Sequence, residues 1–233
     1  MEILITSFVL FFLIGATIIL LPKYARYNFS NYGAISGNSF FKTIFNTGNY
    51  GEFLTFLSLE KLKGHYHLMT NLYIPKKDGS TTEIDLIMLS QTGIYVFESK
   101  NYSGWIFGDE KSKNWMQTFP SKQKNRFFNP IWQNKGHINA LKSSIELDND
   151  TLFKSYIVFS KRCTLKKVNV TSENVKVIKR NALIRTIKKD IKTSINMLEI
   201  AEVDQLYSDL QKYIGVDEAV KKAHIENVQI KKF

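Results

Sequence analysis

The longest uninterrupted apolar stretch of the chain lies at its start. Residues 3–21 read ILITSFVLFFLIGATIILL and carry no charge. As a helix this stretch would span roughly 28 Å at about 1.5 Å per residue, which is close to the hydrocarbon thickness of a bilayer. Glu2 precedes the stretch, whereas Lys23 and Arg26 follow it. Because a cleaved signal peptide usually has a basic start and a shorter apolar core, the pattern favours an uncleaved transmembrane anchor over residues 1–22.

The charges around this anchor also predict its orientation. Lys and Arg gather on the cytoplasmic side of membrane helices, and no second apolar span follows in the sequence. We therefore expect a single-pass protein of the cell membrane, with its N-terminus outside and everything after Pro22 in the cytoplasm. Residues 23–45 are rich in Asn, Ser, Gly and aromatic residues without clean periodicity, which predicts a juxtamembrane linker.

From residue 46 onward, apolar positions follow helical and strand spacings in turn. Phe53, Phe56 and Leu57 have the spacing of a helix, with Asn49 as a candidate N-cap and Gly64 as a candidate stop. Strands are predicted where apolar residues alternate or run together, in HLMTNLYIP, Glu83–Ser90, Ile94–Lys100, the hairpin GWIFG and NWMQTF, YIVFS and VKVIK.

The later helices have clear start signals. Asn129 is a cap residue and Pro130 suits the first helical position of NPIWQNKGHINALKSSIEL. Two further helices are predicted in NALIRTIKKDIKTSINML and AEVDQLYSDLQKYI. The order of elements predicts an α/β sandwich over residues 46–180, in which helices flank a central mixed sheet, followed by a C-terminal helical extension over residues 181–233.

Composition narrows the class of partner. The formal net charge is +11, which favours nucleic acid or an anionic membrane face; a merely solvated basic surface is the equally open alternative. The single cysteine, Cys163, excludes an intramolecular disulfide framework and a cysteine-based zinc site.

Two neighbouring predicted strands carry charges in apolar surroundings. Glu98 and Lys100 are two residues apart, so their side chains leave the same face of one strand, roughly 7 Å apart. Asp85 joins them only if the loop around residues 91–93 has an even number of residues or contains a compensating bulge. With a plain three-residue loop, Asp85 would oppose Ser99 and face away.

Two carboxylates and an ammonium on one face suit metal-assisted phosphodiester hydrolysis. Carboxylate oxygens bind hard cations such as Mg²⁺, and the cation polarises the phosphate and acidifies a bound water. The lysine can position or deprotonate that water and stabilise negative charge in the transition state. The alternative is an ordinary ion pair at a strand end near solvent.

An ordered series of motifs resembles the nuclease-related (NERD) domain, a branch of the restriction-endonuclease-like superfamily. The resemblance runs from about Asn49 to about Lys179 and rests on Gly51-Glu52, Glu83 to Asp85, TGIYVFESKNYSG from Thr92, Trp115, and NPIWQNKGHINAL from Asn129. It implies a restriction-endonuclease-like sandwich behind the anchor and a Mg²⁺- or Mn²⁺-dependent nuclease acting on DNA or RNA. Many enzymes of this superfamily act as dimers, so the resemblance also implies a homodimer.

The resemblance implies a role for each matching residue. Asp85 and Glu98 would be the metal ligands, and Lys100 the catalytic lysine. Glu52 would be an auxiliary carboxylate, although its spacing from Asn49 also fits a capping box. Gln133 would approach the site from the second helix, with an exposed helical position as the alternative.

Other polar residues fit the site less directly. Lys122, Lys124 and Arg126 lie in a polar segment before the second helix and are candidates for phosphate contacts from a loop at the rim. His137 is interpreted as a surface or packing residue. The pair His65 and His67 makes a weak zinc signal, because the sequence near them offers no third ligand. A non-catalytic, membrane-tethered module that binds nucleic acid or protein is the alternative function.

Overall fold

A computed structural model of the chain describes residues 1–76 and 78–230 and contains two β-sheets flanked by helices. The helices are α1 (Glu2–Asn28), α2 (Tyr32–Ser36), α3 (Phe40–Phe45), α4 (Thr47–Leu59), α5 (Pro130–Ile145), α6 (Leu183–Thr193), α7 (Ile200–Leu210) and α8 (Glu218–Ile230). The strands are β1 (Tyr66–Pro75), β2 (Thr81–Ser90), β3 (Gly93–Lys100), β4 (Gly104–Asp109), β5 (Asn114–Thr118), β6 (Lys124–Phe128), β7 (Phe153–Phe159), β8 (Cys163–Asn169) and β9 (Val175–Lys179).

The central sheet has the strand order β1-β2-β3-β7-β9. Strands β1, β2 and β3 are antiparallel, whereas β3, β7 and β9 are parallel, so the mixed sheet predicted from the sequence is confirmed. Alternate residues of β3 enter different cores: Tyr95 and Phe97 pack with α4 and α6, whereas Ile94 and Val96 pack with α5 and α7. Burial on both faces explains why β3 reads as a continuous apolar run.

A second sheet has the order β6-β5-β4-β8, and the sequence pattern predicts only its β4–β5 hairpin. The hairpin of β4 and β5 is confirmed, but β6 and β8 are additional strands. Their burial is low and their sequences, KNRFF and CTLKKVN, carry several charges. Sequence periodicity missed them because only a few of their side chains, such as Cys163 and Phe127, reach a core.

The interpretation of residues 23–45 as a linker is wrong. Helix α1 continues to Asn28, and α2 and α3 follow closely. Tyr32 is fully buried against Phe53 and Phe56 of α4, and Thr43 is fully buried as well. Each helix here contributes only one or two core residues, which is too few to produce a periodic pattern in the sequence.

Helix α1 is long and apolar enough to cross a membrane. Its segment from Ile5 to Asn28 has a mean hydropathy of 2.4 in its most apolar window, and none of that window is buried. A signal sequence at this position would meet the same criteria. The helix does not end at Pro22 as the anchor boundary predicted, because its last turns pack Tyr27 against Phe40 and Phe53.

The turn between β2 and β3 sets the register of the two strands that carry Asp85, Glu98 and Lys100. Ser90 pairs with Gly93, so the loop has the two residues Gln91 and Thr92. Gly93 has φ +128°, and a Cβ there would lie 2.5 Å from the carbonyl oxygen of Leu152. Only glycine meets both requirements, and the even-numbered loop is the condition under which Asp85 approaches Glu98.

We expect Gly93→Ala to lower the free energy of unfolding by about 2–5 kcal/mol, since it combines backbone strain with a steric clash. Gly64→Ala is the matched control, because Gly64 has φ +116° but no atom within 4 Å of an added Cβ. It should cost about 1–2 kcal/mol through strain alone. Urea unfolding of both variants in detergent measures the difference; equal losses would show that the approach to Leu152 does not constrain the turn.

Candidate active site

Asp85 lies where β2 and β3 part. The ladder between the strands ends at the pair Leu86 and Phe97, and the next position would place Asp85 opposite Glu98. There, Asp85 Oδ2 accepts a hydrogen bond from the backbone N–H of Ser99 at 3.0 Å. On the other side, the pairing of β1 with β2 skips the residue opposite Asp85, Asn71, which has φ +54°. The sheet is therefore interrupted on both sides of Asp85.

Glu98 is the most enclosed carboxylate of the site, with 2% of its surface exposed. Lys100 Nζ donates to its Oε1 at 2.6 Å, and His137 Nε2 lies 3.1 Å from its Oε2. Burial would raise the pKa of Glu98, but the Lys100 ammonium and then the His137 imidazole outweigh it, so the pKa is lowered. Glu98 is therefore a fully paired carboxylate that stays ionised.

Lys100 holds the centre of this network. Besides Glu98, its Nζ donates to Gln133 Oε1 at 3.0 Å. Burial lowers the pKa of Lys100, but the carboxylates of Glu98 and Asp85 raise it further, and the net pKa is above its ordinary value. The ammonium is thus cationic at neutral pH.

Among the described residues, no lysine, arginine or histidine forms an ion pair with the two other carboxylates of the site, Asp85 and Glu52. Burial, together with Glu98 and Glu52, raises the pKa of Asp85 well above its ordinary value. Burial, together with Glu83 and Glu98, raises the pKa of Glu52 to about 8. Within the described chain, Glu52 accepts no hydrogen bond, and Asp85 accepts only the one from Ser99. We call Glu52, Asp85 and Glu98 the acidic cluster; with Lys100, its formal charge is −2 when ionised.

Helix α4 brings Glu52 to the cluster. The cap of this helix is Asn46, whose side chain accepts from Asn49 N–H at 3.0 Å. The capping box of Asn49 with Glu52 is therefore wrong, and the helix ends at Leu59 before reaching Gly64. A Cβ at Gly51 would lie 2.7 Å from Asn101 Cβ, so glycine allows α4 to approach the end of β3 closely.

Helix α5 brings Gln133 and His137 over β3. Its predicted start is confirmed: Asn129 Oδ1 accepts from Ile131 N–H at 2.9 Å, and Pro130 is the first helical residue. Asn134, fully buried, donates its amide to the Val96 carbonyl at 2.9 Å. This bond fixes the helix on the strand one residue after Gln133, so that Gln133 reaches Lys100.

The structure therefore joins the side chains of Glu98, Lys100 and Gln133 by hydrogen bonds, with Asp85 and Glu52 coupled to them electrostatically. Gln133 is not a free exposed residue. His137 was missed: it is buried, and Thr82 Oγ1 lies 2.8 Å from its Nδ1 while Nε2 faces Glu98. Its position one turn after Gln133 was the signal that could have found it.

The basic residues predicted to form a loop at the rim are placed differently. Lys124 and Arg126 belong to β6, the edge strand of the second sheet, and Lys122 lies in the preceding turn with φ +64°. All three are exposed, and in the described chain none of their side chains makes a hydrogen bond or an ion pair. The loop interpretation is wrong for Lys124 and Arg126, because β6 pairs with β5 along its whole length, whereas Lys122 does lie in the connection before that strand.

The chain thus combines a mixed central sheet, flanking helices, and carboxylates beside a half-buried lysine where that sheet is interrupted. The chain contains a nuclease-related domain (NERD): the model of that domain family matches residues 47–160. The chain is also similar to an uncharacterized protein of Bacillus anthracis, with 34% identity over 180 residues that cover 77% of this chain and 82% of the relative. No solved structure gives a significant match.

Proposed function

We propose that this protein is a membrane-anchored, metal-dependent nuclease that hydrolyses DNA on a restriction-endonuclease-like sandwich. One observation carries the proposal: Asp85 and the Glu98–Lys100 pair lie at an interruption of the central sheet, and in the described chain two carboxylates of the acidic cluster form no ion pair. A purely structural ion pair would need only Glu98 and Lys100. The additional carboxylates, Asp85 and Glu52, destabilise the metal-free fold and so favour a functional role.

The donor chemistry of the acidic cluster fits a hard divalent cation, and binding one would draw its three carboxylates together, since in the described chain they do not all lie within 4.8 Å of one another. The donor set is all oxygen, and the formal charge of −2 matches Mg²⁺ or Mn²⁺. Asp85 and Glu98 would hold the cation, with Glu52 as an auxiliary carboxylate. When bound, such a cation polarises the phosphate and acidifies water.

The protein groups supply the rest of the chemistry. Lys100, held cationic between Glu98 and Gln133, stabilises the negative charge that develops on the phosphate. Its raised pKa favours this electrostatic role over that of a general base. Glu52, with a pKa of about 8, is suited to accept a proton near neutral pH. Gln133 orients the lysine.

The exposed face of β6 is suited to hold the nucleic acid. Lys124, Arg126 and Phe128 alternate along the strand and are exposed, and Phe128 contacts Trp132 of α5 with ring centroids 6.3 Å apart. Phe128 and Trp132 are 45% and 40% exposed. Cations bind phosphates and exposed aromatic rings stack on bases. Lys122 precedes this face and adds a further positive charge.

Helix α1 would hold the domain at the membrane, with its N-terminus outside and the nuclease domain in the cytoplasm. The support is its apolar, unburied surface and the basic residues that follow it, Lys23 and Arg26. Carbonate extraction of membranes tests the anchor: release of the intact full-length chain into the soluble fraction would contradict it.

A cleavage assay on the full-length chain in detergent tests the nuclease. The full-length chain is used because residues 22–45 contribute to the core, in which Tyr32 is fully buried. Linear DNA, supercoiled DNA and RNA are incubated with Mg²⁺, Mn²⁺ or EDTA. Cutting that requires the metal supports the proposal, and the preferred substrate identifies the nucleic acid. Salt-sensitive binding without cutting in either metal would overturn it in favour of a non-catalytic tether.

His137 is expected to act through Glu98. His137→Ala should lower the cleavage rate at limiting Mg²⁺ by about 10–100-fold, because such outer partners orient a ligand and keep it ionised. High Mg²⁺ should restore part of the rate, and so should His137→Asn, whose amide can donate to Glu98. A Mg²⁺ titration of the initial rate measures this. A loss that neither Mg²⁺ nor asparagine restores would indicate a general packing defect instead.

A further inference from the structure

His67 of β1 and His65, which directly precedes that strand, meet Asp204 of α7. His65 Nε2 and His67 Nε2 lie 2.8 and 2.7 Å from the same oxygen, Asp204 Oδ1. The aspartate is 139 and 137 residues away from them along the chain. Of the groups of His, Cys, Asp and Glu in residues 1–76 and 78–230, this is the set of three whose ligand atoms lie within 4.8 Å of one another.

The supporting contacts hold these side chains toward one another. The His67 ring stacks on Tyr207 at 4.1 Å with an interplanar angle of 13°. Tyr207 lies one helical turn after Asp204, so α7 presents the stacking ring and the carboxylate together. Val203 and Leu210 of α7 are fully buried against the central sheet. The position of Asp204 therefore follows from the packing of its helix rather than from a free surface rotamer.

We propose that His65, His67 and Asp204 bind a zinc ion that fastens α7 to β1. Two imidazole nitrogens and one carboxylate oxygen match the ligands that Zn²⁺ prefers, and not those of Mg²⁺ or Ca²⁺. The side chains of His65, His67 and Asp204 are 36%, 27% and 50% exposed, so solvent reaches the fourth coordination position.

Zinc binding would require only a small change in the distances between the three ligand atoms. At bond lengths of about 2.0–2.1 Å, a tetrahedral ion separates its ligand atoms by about 3.3 Å. The carboxylate oxygen must then move away from the two nitrogens by about half an ångström, which an exposed aspartate allows. Each Nε2 must also give up its proton, leaving the proton of the neutral imidazole on Nδ1.

This site is independent of the proposed nuclease, and its test does not use cleavage. The full-length chain in detergent is stripped with EDTA, freed of the chelator and titrated with Zn²⁺ alone, and bound metal and thermal unfolding are measured. Asp204→Asn removes the carboxylate, and His67→Phe removes a ligand while keeping a ring on Tyr207. Asp209→Asn is the matched control, because it lies on the same helix outside the cluster and bonds Gln205.

We expect the wild type and Asp209→Asn to bind one more Zn²⁺ than Asp204→Asn and His67→Phe. Free Zn²⁺ at a hundred times its dissociation constant should raise the Tm of the wild type and of Asp209→Asn through this site by about 5–10 °C. Asp204→Asn and His67→Phe should lack this part of the Tm increase. Every variant keeps the acidic cluster, so zinc held there cancels in the comparison. Equal stoichiometry and equal Tm shifts in all four proteins would overturn the site and leave an ordinary His–Asp hydrogen-bonded cluster.

Discussion

Lys100→Ala should reduce metal-dependent DNA cleavage by about 10²–10⁴-fold. The substitution removes the only ammonium that contacts the acidic cluster in the described chain, where Lys100 Nζ lies 2.6 Å from Glu98 Oε1. Charge that develops on the phosphate then has no lysine to stabilise it. Initial rates on supercoiled DNA at saturating Mg²⁺ measure the loss, and the far-ultraviolet circular dichroism spectrum verifies that the fold is kept.

Lys154→Ala is the matched control. Lys154 is a half-buried lysine on the neighbouring strand β7, pairs in register with Tyr95, and donates to Ser194 Oγ at 2.6 Å. It lies toward the opposite end of β3 from Lys100 and should keep the rate within about threefold of the wild type. Lys100→Arg keeps the charge in a wider, planar group and should recover little of the activity. Cleavage that survives Lys100→Ala would exclude this site as the catalytic centre.

Glu52→Gln should make the metal-free protein more stable at high pH. The pKa of Glu52 is raised to about 8 in the fold, mainly by burial and then by Glu83 and Glu98, whereas in the unfolded chain it is ordinary. A carboxyl group whose pKa is raised by folding stabilises the fold only while it is protonated. Its contribution to the free energy of unfolding is therefore lost as pH rises from its pKa in the unfolded chain to about 8. Between pH 5 and 8.5 the stability gained by the glutamine should grow by about 2–4 kcal/mol, at about 1.4 kcal/mol per pKa unit.

Urea unfolding in EDTA across this pH range measures the effect. Glu173→Gln, an exposed residue outside the cluster, should show a stability difference that does not change with pH. Mg²⁺ should reduce the advantage of Glu52→Gln, since a bound cation stabilises the ionised cluster. The same variant should cleave DNA more slowly, because it cannot accept a proton. A pH-independent stability gain would mean that Glu52 titrates normally, and the proposed role of its raised pKa would be abandoned.

Most of the elements that carry the site were predictable from local pattern. The apolar runs of β2 and β3 and the Asn129-Pro130 start of α5 are all present in the structure. Each of these signals lies within a few neighbouring residues, where burial on both faces or a cap produces a recognisable spacing. Short polar strands such as β6 produce no such spacing, and their polar sequence predicts a loop instead.

The relation between Asp85 and Glu98 was only half determined by the sequence. Their presence in apolar strands indicated that burying these carboxylates costs free energy, which suggests a function. Whether the two residues face each other depends on an odd or even number of residues in the intervening loop. The structure gives a two-residue loop, with Gly93 held against Leu152. A register shifted by one residue would turn the side chains to opposite faces, and no local pattern excluded it.

The sequence by itself determined the membrane-length apolar helix, the α/β class, and the residues that resemble the NERD nuclease site. Tertiary structure alone decided that residues 23–45 belong to the core, that His137 supports Glu98, and that Asp204 meets His65 and His67. The physical reason is how far apart the contacting residues lie along the chain. A helix or strand is encoded by neighbouring residues, whereas contacts across 39 or 137 residues exist only after the sheets and helices have packed.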